Sequence, residues 1–505
     1  MSFFNRNVHH LFTLRYKKID FFINNPEIQQ KQVLLDLVNS AKKTEWGINH
    51  FYKGISGYRD FIKNVQLNDY DSLKFDIQRM IAGEKNVLWP GQVKWFAKSS
   101  GTTNDKSKFI PVSNDSLYKC HFKAPVDIFA LYVRNNPENN ILKGKNLTIG
   151  GSQKVSNLSK KTRTGDLSAV MISNLPMITR LKNAPNSEIS LIPDFDEKID
   201  KIVRSTIHEN ITSFSGVPSW FLVMMKRVLD CTGKDNLLEV WPNLEVFVHG
   251  GVNFDPYREQ YKKLIPSENM HYVNTYNASE GFFSIQDTLT SDDMLLMLDY
   301  GIFYEFIPMK HFFDEDRKVI PLQEVETGVN YAMVISTNGG LWRYIIGDTV
   351  IFTSKYPFKI KITGRTKQFI NAFGEELIVD NAEKGLKAAC EITGASINEY
   401  TAGPVFMTDE NKGSHQWIIE FEKEPSDLSL FNETLDKELQ SLNSDYEAKR
   451  YKNLTLTLPQ LVVAPKGTFF NWMKLKGKVG GQNKIPRLAN NREYLDSLLD
   501  EVINI

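Results

Sequence analysis

The residues best able to do chemistry lie in five short segments, and each suits phosphate or carboxylate work. The first is Ser99-Ser100-Gly101-Thr102-Thr103-Asn104-Asp105-Lys106-Ser107-Lys108. Small hydroxyl residues and glycine let a backbone approach a phosphate closely, while O–H and N–H groups donate to it. Lys106 and Lys108 add positive charge just downstream. The second is Tyr276-Asn277-Ala278-Ser279-Glu280-Gly281. Its aromatic ring can stack on a purine, and its carboxylate can hold Mg²⁺ beside phosphates, since Mg²⁺ prefers oxygen ligands and keeps several waters. The third, Leu341-Trp342-Arg343-Tyr344-Ile345-Ile346-Gly347-Asp348, ends in an acid that can accept from both ribose hydroxyls. The fourth is Thr363-Gly364-Arg365-Thr366-Lys367-Gln368. In the fifth, Gly480-Gly481-Gln482-Asn483-Lys484-Ile485-Pro486-Arg487, a Gly-Gly segment presents a lysine suited to visit a phosphate in one domain arrangement. Taken singly, each segment also reads as an ordinary polar turn or tail.

Other chemistries lack their signatures. There is no GxxxxGK[ST] phosphate loop, no HExxH metal pair and no G-x-S-x-G nucleophile elbow. Lys and Arg number 61 against 60 Asp and Glu, so global charge gives no reason to expect nucleic acid or membrane as a partner. The cysteines, Cys120, Cys231 and Cys390, are far apart. That argues against structural disulfides and for a reducing, cytoplasmic setting. No stretch approaches the ~20 apolar residues that span a bilayer, and the N-terminal segment lacks the unbroken apolar core of a secretion signal.

The elements that must position these segments follow from apolar periodicity. A chain of 505 residues supports two or more domains and a large core. Residues 1 to about 90 read as mostly helical, with Val33, Leu34, Leu37 and Val38 at helical spacing in Gln29–Lys43. Short apolar runs then alternate with helical patterns: Leu147–Gly150, Ile211–Ser215, Val246–Val248 and Ala332–Ser336. That alternation predicts α/β layers. Pro218, after Ser215-Gly216-Val217, marks a strand, a turn and a helix start. Past residue 362 the texture changes. Gln416–Phe421 and Leu454–Val463, the latter interrupted by Pro459, read as strands around a helix whose stripe is Leu428, Phe431, Leu435, Leu439 and Leu442. The expected division is a large α/β domain over 1–362 and a small α+β domain over 363–505, hinged near Gly364–Gln368.

The five segments in this order resemble the adenylate-forming superfamily, and most closely its GH3 acyl-acid amido synthetases, in a bacterial-type form. The family's SSGT-type loop ends in lysine and an apolar-Pro pair, as in Lys108-Phe109-Ile110-Pro111. Its Tyr-x-x-Ser-Glu motif is met by Tyr276 to Glu280. Its aromatic-Arg-Tyr-x-x-Gly-Asp motif is met from Trp342 to Asp348, and its Gln-x-Lys-x-Pro-Arg context by Gln482 to Arg487. The resemblance spans residues 99 to 487. Asn104-Asp105 replaces two glycines frequent in the family, and both residue types tolerate left-handed backbone. Gly281 stands where plant members often have cysteine. Val248–Asn253 matches the family's glycine strand only loosely.

The resemblance implies a multi-layer N-terminal domain under a mobile C-terminal lid, with ATP and Mg²⁺ between them. It implies that Ser99, Ser100, Gly101, Thr102, Thr103 and Lys108 bind phosphate. Gly251 and Tyr276 would flank adenine, with Asn277, Ala278 and Ser279 on the same nucleotide-side segment. Glu280 would hold Mg²⁺, and Asp348 the ribose with Arg365 nearby. Lys484 would be the lid's catalytic lysine. Val217 and Pro218 are read as part of the acyl pocket. The implied reaction is acyl-adenylate formation with pyrophosphate release, then transfer to an amine such as an amino acid. Transfer to coenzyme A is the alternative, and a non-catalytic nucleotide-binding scaffold belongs to another class altogether. Neither the acid nor the oligomeric state is legible in the sequence.

Overall fold

The structure is a computed structural model. It describes residues 3–503 apart from 101–106, 151–155, 193, 253, 255–256, 367, 409–411, 454 and 476–485. The N-terminal region is helical, as its periodicity predicts: Phe3–Asn24, Pro26–Ala41, Glu45–Asn49, Tyr58–Asn64 and Tyr70–Ile81 precede the first strand. Val33, Leu34, Leu37 and Val38 form the buried face of Pro26–Ala41. Proline begins that helix, where its missing N–H costs nothing.

Among the described residues, twelve strands form one mixed sheet. Its parallel half runs His271–Ala278, Val246–Gly250, Ile211–Gly216, Lys145–Thr148 and Asn183–Ala184, each parallel to the next. Its antiparallel part includes Ile302–Pro308, Asn330–Thr337, Tyr344–Lys355 and Phe358–Arg365. Val246–Gly250 is nearly all buried, as a strand covered on both faces requires. A second, smaller sheet holds Ser107–Val112, Trp95–Ser100, Arg163–Gly165 and Ser156–Asn157.

The C-terminal sheet is Ser396–Val405, Ser414–Lys423 and Gln460–Ala464, the last two parallel. Leu428–Leu442 makes the crossover between that parallel pair. Asp427 caps it by accepting from the N–H groups of Ser429 and Leu430. Phe431, Leu435 and Leu439 of the expected stripe are buried, whereas Leu428 is exposed at the helix start. The strand expected over Leu454–Val463 is shorter. It begins at Gln460, because Pro459 supplies no N–H to a ladder.

The strand Phe358–Arg365 passes straight through the expected 362/363 boundary. Phe221, Met224, Phe247 and Tyr257 share one apolar cluster with Phe373, Trp417, Leu435 and Leu439 of the C-terminal region. Polar contacts accompany it: Tyr257 Oη donates to the Ala372 carbonyl at 2.9 Å, and Gln260 Nε2 to the Met407 carbonyl at 2.6 Å. No described helix is long and apolar enough to cross a membrane.

Candidate active site

The parallel strands all present their carboxyl ends to one edge, the usual ligand side of an open α/β sheet. Val217 and Pro218 follow Ile211–Gly216, Gly251 follows Val246–Gly250, and Ser279-Glu280 follow His271–Ala278. Gly250 must be glycine, because a Cβ there would meet the Thr275 carbonyl oxygen at 2.6 Å. Gly251 has φ of 82°, the left-handed region that glycine adopts without strain. Pro218 opens the helix Pro218–Thr232, as expected, and is buried.

Asp348 and Arg365 face each other across an antiparallel pair. That register lets Arg365 Nε donate to Asp348 Oδ1 at 2.8 Å. Tyr276 Oη donates to Asp348 Oδ2 at 2.6 Å. The far side of the Arg365 guanidinium reaches Glu376 Oε1 at 3.1 Å. Asp348, Arg365 and Tyr276 therefore form one clamp drawn from three expected segments. The Tyr276 ring is buried against Phe283, with centroids 4.7 Å apart. The motif reading assigns that ring a stacking part; in the fold its face packs on Phe283 and its hydroxyl reaches Asp348, and burial beside Asp348 raises its pKa well above the ordinary tyrosine value.

Glu280 stands in the tight turn between His271–Ala278 and Gly281–Ile285. Withdrawal from solvent pushes its carboxyl up to about 7, the positive charge of Lys108 opposes that, and Glu376 and Asp348 add to it. Lys108 lies on Ser107–Val112, opposite Ser99 in the hairpin that carries the first segment. Its ammonium is 5.7 Å from the Tyr70 ring centroid. The hairpin tip, with Gly101, Thr102 and Thr103, lies outside the described residues, as does Lys484. Ser99 and Ser100 end the strand that leads into the tip. Asn277 is exposed, and Ala278 and Ser279 are half-buried at the same edge.

A carboxylate held in poor solvation, as Glu280 is, with no ion pair among the described residues, is a fit partner for a hard cation. Among the described residues, no group of three or more acidic, His or Cys side chains forms a metal cage. Mg²⁺ would therefore take Glu280 together with phosphate oxygens and water, its usual manner.

Sequence reasoning missed two residues here. Glu376 completes the Arg365 clamp with φ of 41°, an unusual backbone for glutamate. Asn371 Nδ2 donates to the Gly251 carbonyl at 3.2 Å, while its backbone N–H donates to Asn490 Oδ1 at 2.6 Å. Asn371 thus ties Gly251 to the chain's last turns. Neither carries a motif; the Asn-Ala-Phe-Gly-Glu-Glu run just past the fourth segment was the available signal. Arg343, inside the third segment, belongs elsewhere. It makes a buried fork with Glu305 at 2.9–3.1 Å and donates to the Val65 carbonyl.

The GH3 family N-terminal domain matches residues 15–270, the central domain 295–365 and the C-terminal domain 380–493. The chain belongs to the GH3 family. Its curated relatives include the indole-3-acetic acid-amido synthetase GH3.3 of Arabidopsis thaliana, 23% identical over 96% of this chain and 93% of the relative. The 4-substituted benzoates-glutamate ligase GH3.12 of the same plant is 22% identical, covering 95% and 96%. Among solved structures, an AtGH3.15 acyl acid amido synthetase in complex with 2,4-DB superposes with TM-score 0.63 at 17% identity, covering 96% of this chain and 95% of that one. A 2-hydroxyisobutyryl-CoA ligase superposes at 0.58 and 11% identity, covering 95% and 93%. The GH3 resemblance, the ligase reading and the two-part α/β fold expected from the sequence all stand.

Proposed function

We propose that this GH3 protein joins a carboxylic acid to an amino acid through an acyl-adenylate. The acid's carboxylate attacks the α-phosphorus of ATP and pyrophosphate leaves; the acceptor's amine then attacks the acyl carbonyl and AMP leaves. The observation that carries this reading is the convergence of Tyr276, Glu280, Asp348, Arg365 and Lys108 at the carboxyl edge of the sheet. In it, Asp348 receives the ribose hydroxyls while Tyr276 and Arg365 fix its orientation. Gly251 passes the adenine edge, and Ser99 to Thr103 with Lys108 cradle the phosphates. Bound Mg²⁺, held by Glu280, would supply charge neutralisation at the phosphates. Charge grows on the non-bridging oxygens during adenylation, so position and fixed positive charge do most of the work. Lys484 is the lid cation for that step. The lid comprises the C-terminal region beyond Arg365, and it re-orients before transfer. Val217 and Pro218 bound the acyl pocket.

The two curated relatives above are named for different acids, indole-3-acetic acid and 4-substituted benzoates, so no one acid carries over. A cytoplasmic location suits three unpaired cysteines. The test is pyrophosphate release screened over aryl and fatty acids with ATP and Mg²⁺, followed by mass spectrometry of products made with amino acids. Acid-dependent release ending in a carboxamide is the expected result. A thioester formed with coenzyme A, and no amide, would shift the reading to the thioester-forming relatives.

A further inference from the structure

The carboxyl edge of the parallel strands has a nucleotide end and a far end. His271–Ala278 and Val246–Gly250 carry the nucleotide groups; Ile211–Gly216 comes next, and Lys145–Thr148 lies beyond it. Two buried lysines gather at the far end. Lys198 is fully buried and donates to the Gly150 carbonyl at 3.1 Å, just past Lys145–Thr148. Lys449 comes from the C-terminal helix Ser444–Arg450 and is 7% exposed. Its ammonium stands 4.2 Å from the ring centroid of Trp220, in the first turn of Pro218–Thr232.

Lys449 differs from the buried arginines. Arg15 and Arg343 each hold a carboxylate oxygen, at 2.6 and 2.9 Å. Lys449 has no ion pair among the described residues. Asp445, Glu375 and Asp166 act on it only through space, and burial lowers its pKa. Lys198 is held down to about 8, first by burial and then by the charge of Lys449, against the pull of Asp166. Lys449 is thus a buried ammonium set over a ring, with no carboxylate against it among the described residues, and Lys198 on the Gly150 carbonyl adds positive charge through space; a cation so placed is a receptor for an anion.

We propose that Lys449, with Lys198 beside it, receives the α-carboxylate of the incoming amino acid at the end of the site away from the nucleotide. The inference rests on the amide-forming reading above. Charge accounting favours it. The acyl acid's own carboxylate becomes an uncharged mixed anhydride, and the nucleotide's phosphates belong to the Ser99–Thr103 end. The acceptor alone brings a further anion. Val217 and Pro218 lie between the two ends, so an acceptor anchored at Lys449 would direct its amine toward an acyl carbonyl placed there. Because Lys449 rides on the C-terminal region while Trp220 and Lys198 do not, the receptor is complete only in the packing seen here. Acceptor binding is thereby coupled to lid position.

The experiment uses the full chain and the acid with the fastest pyrophosphate release. The acceptors are the amino acid conjugated best in a screen of the twenty, and the amine left when that amino acid loses its carboxylate. Lys449→Met should raise the amino acid's KM at least tenfold, leave the amine's KM near the wild-type value, and change the KM for ATP far less. Lys449→Arg should restore much of the amino-acid KM. An equal change for both acceptors, or none for the amino acid, overturns the proposal. A wild type that releases pyrophosphate but conjugates no amino acid overturns the amide reading and this inference with it, and pyrophosphate release distinguishes that case from failure of Lys449 alone. If Lys449→Met does not fold, Lys449→Gln, which keeps a polar end group and removes the charge, decides: a raised amino-acid KM with the amine and ATP KM values unchanged sustains the proposal, and an equal change for both acceptors, or none, overturns it.

Discussion

Tyr276 and Asp348 are joined by a 2.6 Å hydrogen bond that runs between two motifs 72 residues apart in sequence. Arg365 holds the other oxygen of the same carboxylate at 2.8 Å. The carboxylate plane is thus fixed by two donors, and in the role proposed for it the remaining lone pairs are left for ribose hydroxyls.

Tyr276→Phe removes one of those donors and keeps the ring that packs on Phe283. A hydrogen bond to a charged group is worth about 1.5–3 kcal/mol. The KM for ATP should rise by roughly tenfold or more, with the KM for the acid little changed. Initial-rate kinetics over ATP at saturating acid measures it, and an unchanged ATP KM would remove Tyr276 from the clamp.

How much of this clamp was legible depended on where each partner lies. Asp348 and Arg365 sit in motifs with a reading of their own, but none of the apolar runs read from the sequence marks the strands Tyr344–Lys355 and Phe358–Arg365 that carry them. Their pairing follows from strand register, which no motif records. Glu376 and Asn371 sit in a loop whose shape is set by contacts with Arg365, Gly251 and Asn490, so local pattern carried no sign of their roles. Lys449 was hidden for a related reason. A lysine near the end of a short helix reads as surface, and only the packing of Ser444–Arg450 against the N-terminal part of the chain buries it. By contrast, Pro218 announced its helix and Phe431, Leu435 and Leu439 their buried face, because those signals are local in sequence.

Arg343 tests the separation of motif from site. Its fork on Glu305 is buried on both sides, and Tyr58 Oη adds a third donor to that carboxylate at 3.0 Å. Removing one partner leaves an uncompensated buried charge, at a cost of about 3–5 kcal/mol. Arg343→Ala should lower the urea midpoint accordingly. The double variant Arg343→Met/Glu305→Leu should recover a large part of the loss, because neither charge remains buried. A single variant as stable as the wild type would return Arg343 to the list of candidates for the site.

Stability should fall as pH drops from 6.5 toward 5. Burial holds His121 down to about 4, and burial with the charge of Arg258 holds His249 down to about 3, from an ordinary 6.5. Between the folded and unfolded values, the unfolded chain binds protons that the folded chain does not, so unfolding takes up protons and stability rises with pH. Across the full windows these shifts amount to about 3 kcal/mol for His121 and about 5 kcal/mol for His249. Glu280, held up to about 7, titrates over the same range with the opposite sign and offsets roughly one histidine, so the net slope is about that of the other. Urea midpoints at pH 7, 6 and 5 measure the slope, and a flat profile would count against buried neutral imidazoles.

The last prediction concerns Lys484, which itself lies outside the described residues while its downstream anchor does not. Thr401 Oγ1 donates to the Pro486 carbonyl at 2.7 Å, Arg487 N–H donates to Gln368 Oε1, and Leu488 pairs with Ala402. The chain two residues past Lys484 is therefore fastened both to an edge of the C-terminal sheet and to Gln368, in the expected hinge. A cation presented from such an anchor would follow any movement of that sheet. Lys484→Ala should slow acid-dependent pyrophosphate release by ~10²-fold, comparable to losing an oxyanion donor. Amide formation from a supplied acyl-adenylate should suffer much less, since the pyrophosphate-forming charge is absent from that step. Gln368→Ala, which frees one fastening and leaves the lysine in place, should give an intermediate loss in the first step. Wild-type pyrophosphate release in Lys484→Ala would show that the cation for adenylation comes from elsewhere, with Lys108 the next group to vary.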